Sequence, residues 1–388
     1  MQNRQASPLA TAFTLLGLAL AVPVPLANAA GTVGTGTGVS CTEAAFDTAL
    51  AGGGTVTFNC GGPATITFTA TKAITVATTI LGGTGITLDG GGAVRLFNVT
   101  GGGLVVDHVT LANGHDTVAN QGAAAINASA NVTITDSTIS GHQSSNSGCP
   151  AISMSGATLT ITRSTISGNV NSAPALGIPV CANNTAILNV TSSTITGNTG
   201  GGLWTSGTAT VTNSTIAGNS STGLGNSGGL VAFGNSAVMT LRNTIVANNV
   251  GTGQCAPVAG GTIVNGTGNL QFPDAACGAG IAVANPLLGA LANNGGPTQT
   301  MALGVGSPAI DAAVPANCPA TDQRGQLPAD GDGNGSVICD IGAYEAPTFI
   351  APPTLAAPPV PATSASLLAA MALLLATLGG VLLTRKRR

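Results

Sequence analysis

The stretch Ala157–Asn169, Ala-Thr-Leu-Thr-Ile-Thr-Arg-Ser-Thr-Ile-Ser-Gly-Asn, contains the pattern that decides the fold. Leu and Ile alternate with Thr in its first half, a short polar turn follows, and the sequence continues with Thr-Ile and a Gly-Asn corner. Alternation of apolar and polar residues with a period of two is typical of a β-strand with one buried face. The stretch therefore predicts two short strands, each followed by a turn.

The same pattern returns along the chain. Its copies are anchored by apolar residues that lie 21 to 29 residues apart, namely Leu111, Ile139, Ile166, Ile195, Ile216 and Ile245. A period of this length indicates stacked units that bury their apolar faces against one another. Thr, Val, Ile, Gly and Asn dominate the copies, and these residues favour strands and corners. We predict an all-β fold, a right-handed parallel β-helix with coils about 4.8 Å apart.

Two features are expected to complete the β-helix. Asn169, Asn198, Asn219 and Asn248 follow one another at successive corners, and we expect their side-chain amides to form a ladder from coil to coil. The segment Ser40–Gly52 has the capping-box spacing of Ser40 and Glu43 and places Phe46, Ala49 and Leu50 on one face. It predicts a short helix that caps the apolar end of the first coil.

The predicted organisation along the chain has six parts. They are a signal peptide over 1–29, a linker over 30–39, the β-helix with its N-terminal cap over 40–280, a C-terminal cap segment over 281–346, a Pro-rich stalk over 347–366, and a transmembrane helix with a basic tail over 367–388.

Both ends of the chain carry targeting patterns. Arg4, the apolar run Phe13–Val22 and Ala27-Asn28-Ala29 have the order of a cleaved secretory signal, which predicts export. Near the other end, the apolar run Leu367–Leu383 precedes Arg385-Lys386-Arg387-Arg388 and can just span a bilayer. We expect one C-terminal transmembrane helix that acts as a membrane anchor or a sorting signal at the cell surface.

The charge balance excludes one class of partner. Of the 10 Lys and Arg residues, five lie in the two targeting segments, which leaves five against 13 Asp and Glu residues, a net charge of −8. An acidic surface repels a phosphate backbone, and no basic groove with interleaved aromatic residues is present in the sequence. We therefore expect no binding to nucleic acid.

The chain contains eight cysteines, which is in keeping with export. Eight cysteines allow 105 connectivities, so the sequence alone leaves the pairing open. Pairing in sequence order closes the shortest loops in a chain extended along one axis, and it would join Cys41 with Cys60, Cys149 with Cys181, Cys255 with Cys277, and Cys318 with Cys339.

Four motifs in the last third of the chain carry a family resemblance. They are Asn285-Pro-Leu-Leu-Gly-Ala-Leu-Ala-Asn-Asn-Gly-Gly-Pro-Thr-Gln-Thr, Gly306-Ser-Pro-Ala-Ile-Asp-Ala, Asp322-Gln-Arg-Gly and Cys339-Asp-Ile-Gly-Ala-Tyr-Glu345. They resemble bacterial choice-of-anchor Q domain proteins over about Cys41 to Glu345. The resemblance implies a pectin-lyase-like β-helix on an exported protein, without an established activity. The tail resembles a sorting signal with Pro353-Thr354-Leu355, which implies a sortase-like processing enzyme as a partner.

One cluster of residues is a candidate for acid–base chemistry or metal binding. It consists of Asp107, His108, His115, Asp116 and Asp136, which the coil spacing can bring together. The alternative interpretation is a set of solvated corner residues. A glycosidase needs two carboxylates about 5–9 Å apart, and between Asp136 and Asp274 the sequence has no acidic residue. We therefore assign no catalytic residue.

Two further candidate sites are binding sites. Asp330-Gly-Asp332-Gly-Asn334-Gly335 resembles the start of a calcium loop, and with Asp340 it is a candidate Ca²⁺ site, although Ile341 replaces the Glu of an EF-hand. The alternative is a bare surface turn without a cofactor. Trp204 is the candidate platform for stacking on a sugar.

These observations favour an exported, cell-surface β-helix protein that serves adhesion or surface presentation without catalysis, with a glycan or another surface molecule as its ligand. The alternative is a divergent polysaccharide lyase or glycoside hydrolase that acts in the lateral groove of the β-helix. The fold supports both, so the residues must decide between them.

Overall fold

The computed structural model describes residues 31–116, 122–145, 148–172, 177–221 and 227–348, together with Leu373 and Leu375. The chain divides into two units, Met1–Thr348 and Phe349–Arg388, and the β-helix lies in the first. The predicted signal peptide over 1–29 lies outside the described residues, as does the stalk apart from its first two residues.

Within the first unit, the described residues form one α-helix, two 3₁₀ turns and a long series of short strands. The helix α1 is Glu43–Leu50, and the 3₁₀ turns are Gly38–Ser40 and Pro315–Asn317. In chain order the strands are β1 (Thr32–Val33), β2 (Gly54–Phe58), β3 (Ala64–Thr67), β4 (Lys72–Ile74), β5 (Thr78–Asp89), β6 (Phe97–Val99), β7 (Leu104–Ala112), β8 (His115–Asp116), β9 (Ile126–Ala128), β10 (Val132–Thr135), β11 (Thr138–Ser140), β12 (Gln143–Ser144), β13 (Ile152–Ser155), β14 (Thr158–Thr162), β15 (Thr165–Ser167), β16 (Val170–Asn171), β17 (Val180–Asn183), β18 (Ile187–Thr191), β19 (Thr194–Thr196), β20 (Leu203–Thr205), β21 (Thr208–Thr212), β22 (Thr215–Ala217), β23 (Ser227–Phe233), β24 (Val238–Arg242), β25 (Ile245–Ala247), β26 (Gly253–Val258), β27 (Thr262–Asn265), β28 (Leu270–Phe272), β29 (Ala282–Val283), β30 (Leu288–Ala292) and β31 (Thr300–Leu303).

The strands wind into a right-handed parallel β-helix of about nine turns, as the repeat predicts. A typical coil runs through β13, β14, β15 and β16, and each of the first three pairs in parallel with its equivalents in the neighbouring coils. The strands equivalent to β14 and β15 belong to one 18-stranded sheet, and those equivalent to β13 form an 8-stranded sheet. Among the strands of the described residues, only β30 and β31 pair antiparallel.

Register places like residues above like. Leu159 of β14 is aligned with Val132 in the coil before and with Leu188 in the coil after, and all three are fully buried. Each strand offers only two or three inward side chains, so a coil buries them by stacking on its neighbours. The result is a continuous apolar core along the axis.

The N-terminal end of this core is covered by α1, as expected. Phe46 and Ala49 are buried on the helix face that belongs to the main core, and the Phe46 ring lies 5.0 Å from the ring of Phe68. The helix begins later than the capping-box spacing predicts, because Thr42, and not Ser40, accepts the hydrogen bond from the Ala45 amide. Ser40 ends a 3₁₀ turn instead.

The amide ladder is present, and its membership differs from the prediction at one rung. Asn169, Asn198 and Asn219 are buried, and each donates from Nδ2 to the Oδ1 of the next rung over 2.8–2.9 Å. The last of these bonds reaches Asn249, not Asn248. Asn248 has φ = 54° and occupies the left-handed position that Gly218 fills one coil earlier, so its neighbour points inward.

The eight cysteines form four disulfides, in the sequential pairing that the sequence favours. The bridges are Cys41–Cys60, Cys149–Cys181, Cys255–Cys277 and Cys318–Cys339. The Cys255–Cys277 pair belongs to the main core near its C-terminal end. Each bridge closes a loop of between 19 and 32 residues, so each restricts the unfolded chain.

The segment 281–346 is more than an end cap, because it lies along the side of the β-helix. Its Gln323 donates from Nε2 to Thr165 Oγ1 (2.9 Å) and accepts at Oε1 from Thr194 Oγ1 (2.7 Å), so it bridges two neighbouring coils. The Ala343 amide donates to Thr215 Oγ1 one coil further along (3.1 Å). The outward threonines of β15, β19 and β22 therefore form the seat of this segment.

The structure corrects the expectation of a transmembrane helix over 367–388. No helix in the described part of the chain is long and apolar enough to cross a membrane. Within 367–388 only Leu373 and Leu375 are described, and both are helical and exposed. The sequence offers a physical reason, because the run is short for a membrane span and contains Gly379-Gly380, and each Gly costs about 1 kcal/mol in a helix relative to Ala.

Candidate functional site

One corner of the β-helix brings charged side chains together. Between the strands equivalent to β14 and those equivalent to β15, each coil turns through a residue with a left-handed backbone. These residues have φ between 43° and 52° and stack along the axis as His108, Asp136, Arg163, Ser192, Asn213 and Asn243. We call this stack the corner stack. Its first three members, with Asp107 beside them, form the charged end.

The charged end of the corner stack consists of one Arg–Asp ion pair and of close contacts that His108 makes with two carboxylates. Arg163 donates from Nε to Asp136 Oδ1 (2.8 Å) and from Nη2 to Asp136 Oδ2 (2.6 Å). His108 contacts Asp107 through Nδ1, and its Nε2 lies 3.9 Å from Asp136 Oδ2. The Asp136 side chain is 8% exposed and that of His108 is 45% exposed. The hydrogen bonds to Asp136 raise the pKa of the Arg163 guanidinium above its usual value.

The charged end of the corner stack lies beside a cleft and has groups that could bind a metal ion or transfer a proton. A cleft of about 280 Å³ next to it is lined by His108, Asp136 and, from the C-terminal segment, Gly296 and Pro297. Asp107, His108 and Asp136 each offer one ligand atom within 4.8 Å of the others, so they are close enough to share a metal ion or a proton. Both oxygens of Asp136, however, already accept from Arg163, so a metal ion or a substrate would have to compete with the guanidinium for them.

The other two members of the predicted cluster lie elsewhere. His115 and Asp116 form β8, which follows the next corner of the coil and pairs with β12. Asp116 is buried and lies 3.1 Å from Arg95 Nη2, whereas His115 Nδ1 lies 3.1 Å from the Gly92 carbonyl oxygen. The structure therefore brings together Asp107, His108 and Asp136 and separates His115 and Asp116 from them.

His142 continues the amide ladder. Its Nδ1 accepts from the Gly114 amide (2.9 Å), and its Nε2 lies 3.0 Å from the Leu111 carbonyl oxygen, so Nε2 carries the proton. Asn169 makes the equivalent two bonds one coil later, to the His142 amide and the Ile139 carbonyl. Complete burial lowers the pKa of His142 to about 4, and the ring is neutral near pH 7.

Two of the four sequence motifs of the C-terminal segment meet in one hydrogen-bonded knot. Asp322 accepts from the amides of Arg324 and Glu345, and its Oδ2 lies 2.7 Å from Arg324 Nη2. The Arg324 guanidinium lies 3.7 Å from the centre of the Tyr344 ring and donates to the Glu345 carbonyl oxygen (2.6 Å). These contacts hold Asp322-Gln-Arg-Gly against Cys339–Glu345. A single Arg among several carboxylates is typical of such a structural role.

Two carboxyl groups in the knot are buried close to each other. Burial raises the pKa of Glu345 to about 8, and the neighbouring charge of Asp340 adds to the effect. Burial likewise raises the pKa of Asp340 to about 6. The amides of Asp311 and Ala346 donate to Asp340, and the Asp340 amide donates to both oxygens of Glu345. Glu345 is therefore protonated near pH 7.

The predicted calcium loop gains a carboxylate that the sequence does not suggest. Asp311, Asp330 and Asp332 each place an oxygen within 4.8 Å of the others. Asp311 Oδ1 is buried without a hydrogen-bond partner among the described residues. Asp340 instead directs its carboxylate at the Asp311 and Ala346 amides, and Asn334 bonds to Asp332 Oδ2. A donor set of oxygens alone is the type that Ca²⁺ prefers.

Trp204 lies on the outer face of the 8-stranded sheet. Its neighbours Leu203 and Thr205 are buried, whereas Trp204 is partly exposed. Its ring stacks on Phe233 of the adjacent strand, with a centroid distance of 6.1 Å and an interplanar angle of 29°. The aromatic surface is thus a pair of rings.

Three residues in these sites were not found from the sequence as site residues. Arg163 and Phe233 follow from register, because Arg163 stands one repeat after Asp136, and Phe233 lies in the strand that pairs with β20. Asp311 gives no such signal, because the chain outside the repeats brings it to the loop at Asp330.

The comparison with protein families agrees with this fold. The family model described as right handed beta helix region matches residues 74–273. Among solved structures, the crystal structure of pectate lyase Pel9A is similar, with 12% sequence identity and a TM-score of 0.37, and the match covers 75% of this chain and 88% of that chain. No curated protein matches the sequence.

Proposed function

We propose that this chain, which belongs to the right-handed β-helix family, is an exported binding protein that presents its β-helix at the cell surface for adhesion and catalyses no reaction. Membership of the family accounts for the scaffold, whereas the residues and contacts of the candidate sites decide between binding and catalysis.

One observation carries the proposal: the chain's own C-terminal segment occupies the side of the β-helix beside the charged end of the corner stack. Thr298 donates from Oγ1 to the Arg163 carbonyl oxygen (3.1 Å), and Thr165 donates from Oγ1 to the Gln299 carbonyl oxygen (2.6 Å). A polymer that lay across this side would have to displace these contacts. Arg163 also holds both oxygens of Asp136, which leaves Asp107 and His108 as the accessible pair.

The experiment is a paired assay of binding and cleavage. The purified protein is incubated with a panel of neutral and acidic polysaccharides, retention on each insoluble polymer is measured, and the supernatant is assayed for new reducing ends and unsaturated sugars. We expect retention on at least one polymer with no new ends. Product that accumulates in proportion to protein concentration would replace the proposal with an enzymatic one.

A polysaccharide lyase or glycoside hydrolase is the second candidate, and a specific observation favours it: Asp107, His108 and Asp136 converge at a cleft. The contact of His108 Nδ1 with Asp107 leaves Nε2 for proton transfer. In the same cleavage assay this candidate requires that His108→Ala abolishes product formation. The matched control is His115→Ala, which removes an imidazole that lies outside the cleft.

Export and family relationship are parts of the same proposal. Four disulfides are typical of proteins that mature in an oxidising compartment. The contacts between Asp322-Gln-Arg-Gly and Cys339–Glu345 support a relationship to choice-of-anchor Q proteins, because those motifs depend on each other. Mass spectrometry of the mature protein tests export and tail processing, since removal of 1–29 and loss of the C-terminal tail would both appear as defined mass differences.

A further inference from the structure

The outer face of the 8-stranded sheet carries a patch of residues that takes no part in the amide ladder, the main core or the seat of the C-terminal segment. Trp204 and Phe233 form its centre, and we call this pair the aromatic platform. The platform packs on Val231 and on the Cys149–Cys181 bridge, in an apolar cluster separate from the main core. One side of each ring therefore packs against this apolar cluster, and each residue is partly exposed to solvent.

Register extends the platform into a row along the axis. The positions aligned with Trp204 itself, Ser153, Cys181 and Val231, are buried. Two residues further along the strands lies a partly exposed row, in which Ser155 is aligned with Asn183 and Phe233 with Val258. On the N-terminal side the row becomes polar, where Asn183 donates from Nδ2 to Ser153 Oγ (3.2 Å) and Asn184 donates from Nδ2 to Ser155 Oγ (2.8 Å). Aromatic surface and hydrogen-bonding groups thus follow each other along one straight line.

The spacing and chemistry of this row suit a sugar chain. Equivalent positions in neighbouring parallel strands recur about every 4.8 Å, which is close to the length of one pyranose ring in an extended glycan. A pyranose has an apolar C–H face that stacks on an aromatic ring, and a rim of hydroxyls that bonds to amides and hydroxyls. The indole Nε1–H of Trp204 supplies a further donor at the platform itself.

Charge decides which glycans fit. The strands β13, β17, β20, β23 and β26 that carry the row contain no Asp, Glu, Lys or Arg. The chain between its targeting segments has a net charge of −8, so its field disfavours a polyanion. A neutral ligand gains the stacking energy without this repulsion.

We propose that the aromatic platform and the row of Ser155 and Asn183 bind a neutral, linear polysaccharide that runs parallel to the β-helix axis. One sugar stacks across Trp204 and Phe233, and its neighbours on the N-terminal side bond to the Asn and Ser side chains. The inference rests on the proposed binding function and names its ligand class.

The test uses the fluorescence of the protein itself, because Trp204 is the single tryptophan of the chain. The probes are cellohexaose, mannohexaose and xylohexaose as neutral chains, hexagalacturonate as an acidic chain, and phosphatidylcholine vesicles as an apolar surface. We expect at least one neutral hexasaccharide to shift or quench the Trp204 emission saturably, and neither hexagalacturonate nor the vesicles to do so.

Calorimetric titration of variants then locates the site. Trp204→Ala should weaken binding about tenfold or more, and Phe233→Ala about threefold to tenfold, because each removes one stacking ring. Trp204→Phe should restore part of the affinity, which a purely structural effect would not predict. The matched control is Leu327→Ala, whose side chain is 70% exposed on the C-terminal segment and should leave binding unchanged.

The outcomes separate the two proposals. Emission that no hexasaccharide changes, a preference for hexagalacturonate or vesicles, or affinity that survives Trp204→Ala each overturns the platform. The last of these leaves the proposed binding function intact. Conversely, cleavage of a polysaccharide by a protein that still needs Trp204 for affinity overturns the absence of catalysis and supports the platform.

Discussion

Arg163 and Asp136 pair through two hydrogen bonds, of 2.8 Å from Nε to Oδ1 and 2.6 Å from Nη2 to Oδ2, across two neighbouring coils. The carboxylate is buried and the guanidinium lies nearer to solvent. A buried charge that loses its partner keeps its desolvation cost. The net free energy gained by forming this pair is therefore small, but the free energy lost when one partner is removed is large.

Arg163→Ala is therefore expected to lower the free energy of unfolding by about 2 kcal/mol, since it leaves the Asp136 carboxylate buried without its cation. Equilibrium unfolding in urea measures the change. Adding Asp136→Asn to this variant should recover part of the loss, because the amide carries no charge.

Arg242→Ala is the matched control for that experiment. Arg242 lies at the end of β24 and makes no ion pair with another described residue. Its removal should change stability by no more than about 0.5 kcal/mol. Equal effects of the two Arg variants would contradict the structural importance of the pair.

Glu345 should make the protein less stable as pH rises. Its pKa is about 8 in the folded chain and near 4.5 in the unfolded chain, because burial and Asp340 disfavour its charge. Between these values the folded state binds more protons, so unfolding becomes easier from about pH 4.5 up to pH 8. Asp340, with a pKa of about 6, acts in the same direction over the lower part of this window.

The check is the urea midpoint as a function of pH for the wild type and Glu345→Gln. The glutamine keeps an acceptor for the Asp340 amide and cannot ionise, so the fall in stability between pH 6 and 8 should flatten. Asp311, Asp322 and Arg324 surround the same knot and stay unchanged. Parallel pH profiles for the two proteins would show that Glu345 ionises in the folded chain as freely as in the unfolded one.

His142 should have the opposite pH dependence. Burial lowers its pKa from 6.5 to about 4, so between these values the unfolded state binds more protons and stability falls as pH falls. His142→Asn should remove this acid sensitivity, because an Asn at this position can donate to Leu111 and accept from Gly114 as Asn169 does in its own coil.

His142→Ala is the contrasting variant. It leaves the Gly114 amide without an acceptor and opens space in a buried position, so it should cost about 2–4 kcal/mol. Thermal unfolding of the three proteins at pH 5 and pH 7 separates the two effects. If the Asn variant were as unstable as the Ala variant, His142 would not be a rung of the ladder.

Removal of the Cys149–Cys181 bridge should act both on the unfolded chain and on the platform above it. The bridge closes a loop with a sequence separation of 32, and Cys149→Ala with Cys181→Ala should cost about 3–4 kcal/mol. Because the bridge lies beneath Trp204, the emission of the folded variant should also shift to longer wavelength. The same double change at Cys318 and Cys339 should cost stability and leave the emission unchanged.

The repeat pattern is strong enough to predict the coils. Ile139, Ile166 and Ile195 follow each other at nearly constant spacing, and the structure aligns them directly across neighbouring strands. The pattern is too weak to predict which of two adjacent residues takes a given position in a coil. Asn248 and Asn249 are equivalent in the sequence pattern, and only the left-handed backbone at Asn248 determines which of the two enters the ladder.

The charged cluster shows why a site is harder to predict than the fold. Asp107 and Asp116 are close in sequence, but a corner separates them, so they face different sides of the coil. Residues outside the repeats gave no periodic signal at all. The seat of Gln323 between Thr165 and Thr194 and the approach of Asp311 to Asp330 depend on non-repeating chain, which periodicity does not constrain.

The side placement of the segment 281–346 also has a mechanical consequence. A pulling force on its C-terminal end reaches the hydrogen bond of Ala343 with Thr215 before it reaches those of Gln323 and Gln299 with Thr165. The segment must detach from the coils before the coils that it covers can unwind, so an applied force has to break these hydrogen bonds one after another. The segment therefore acts as a brace that resists unravelling from this end.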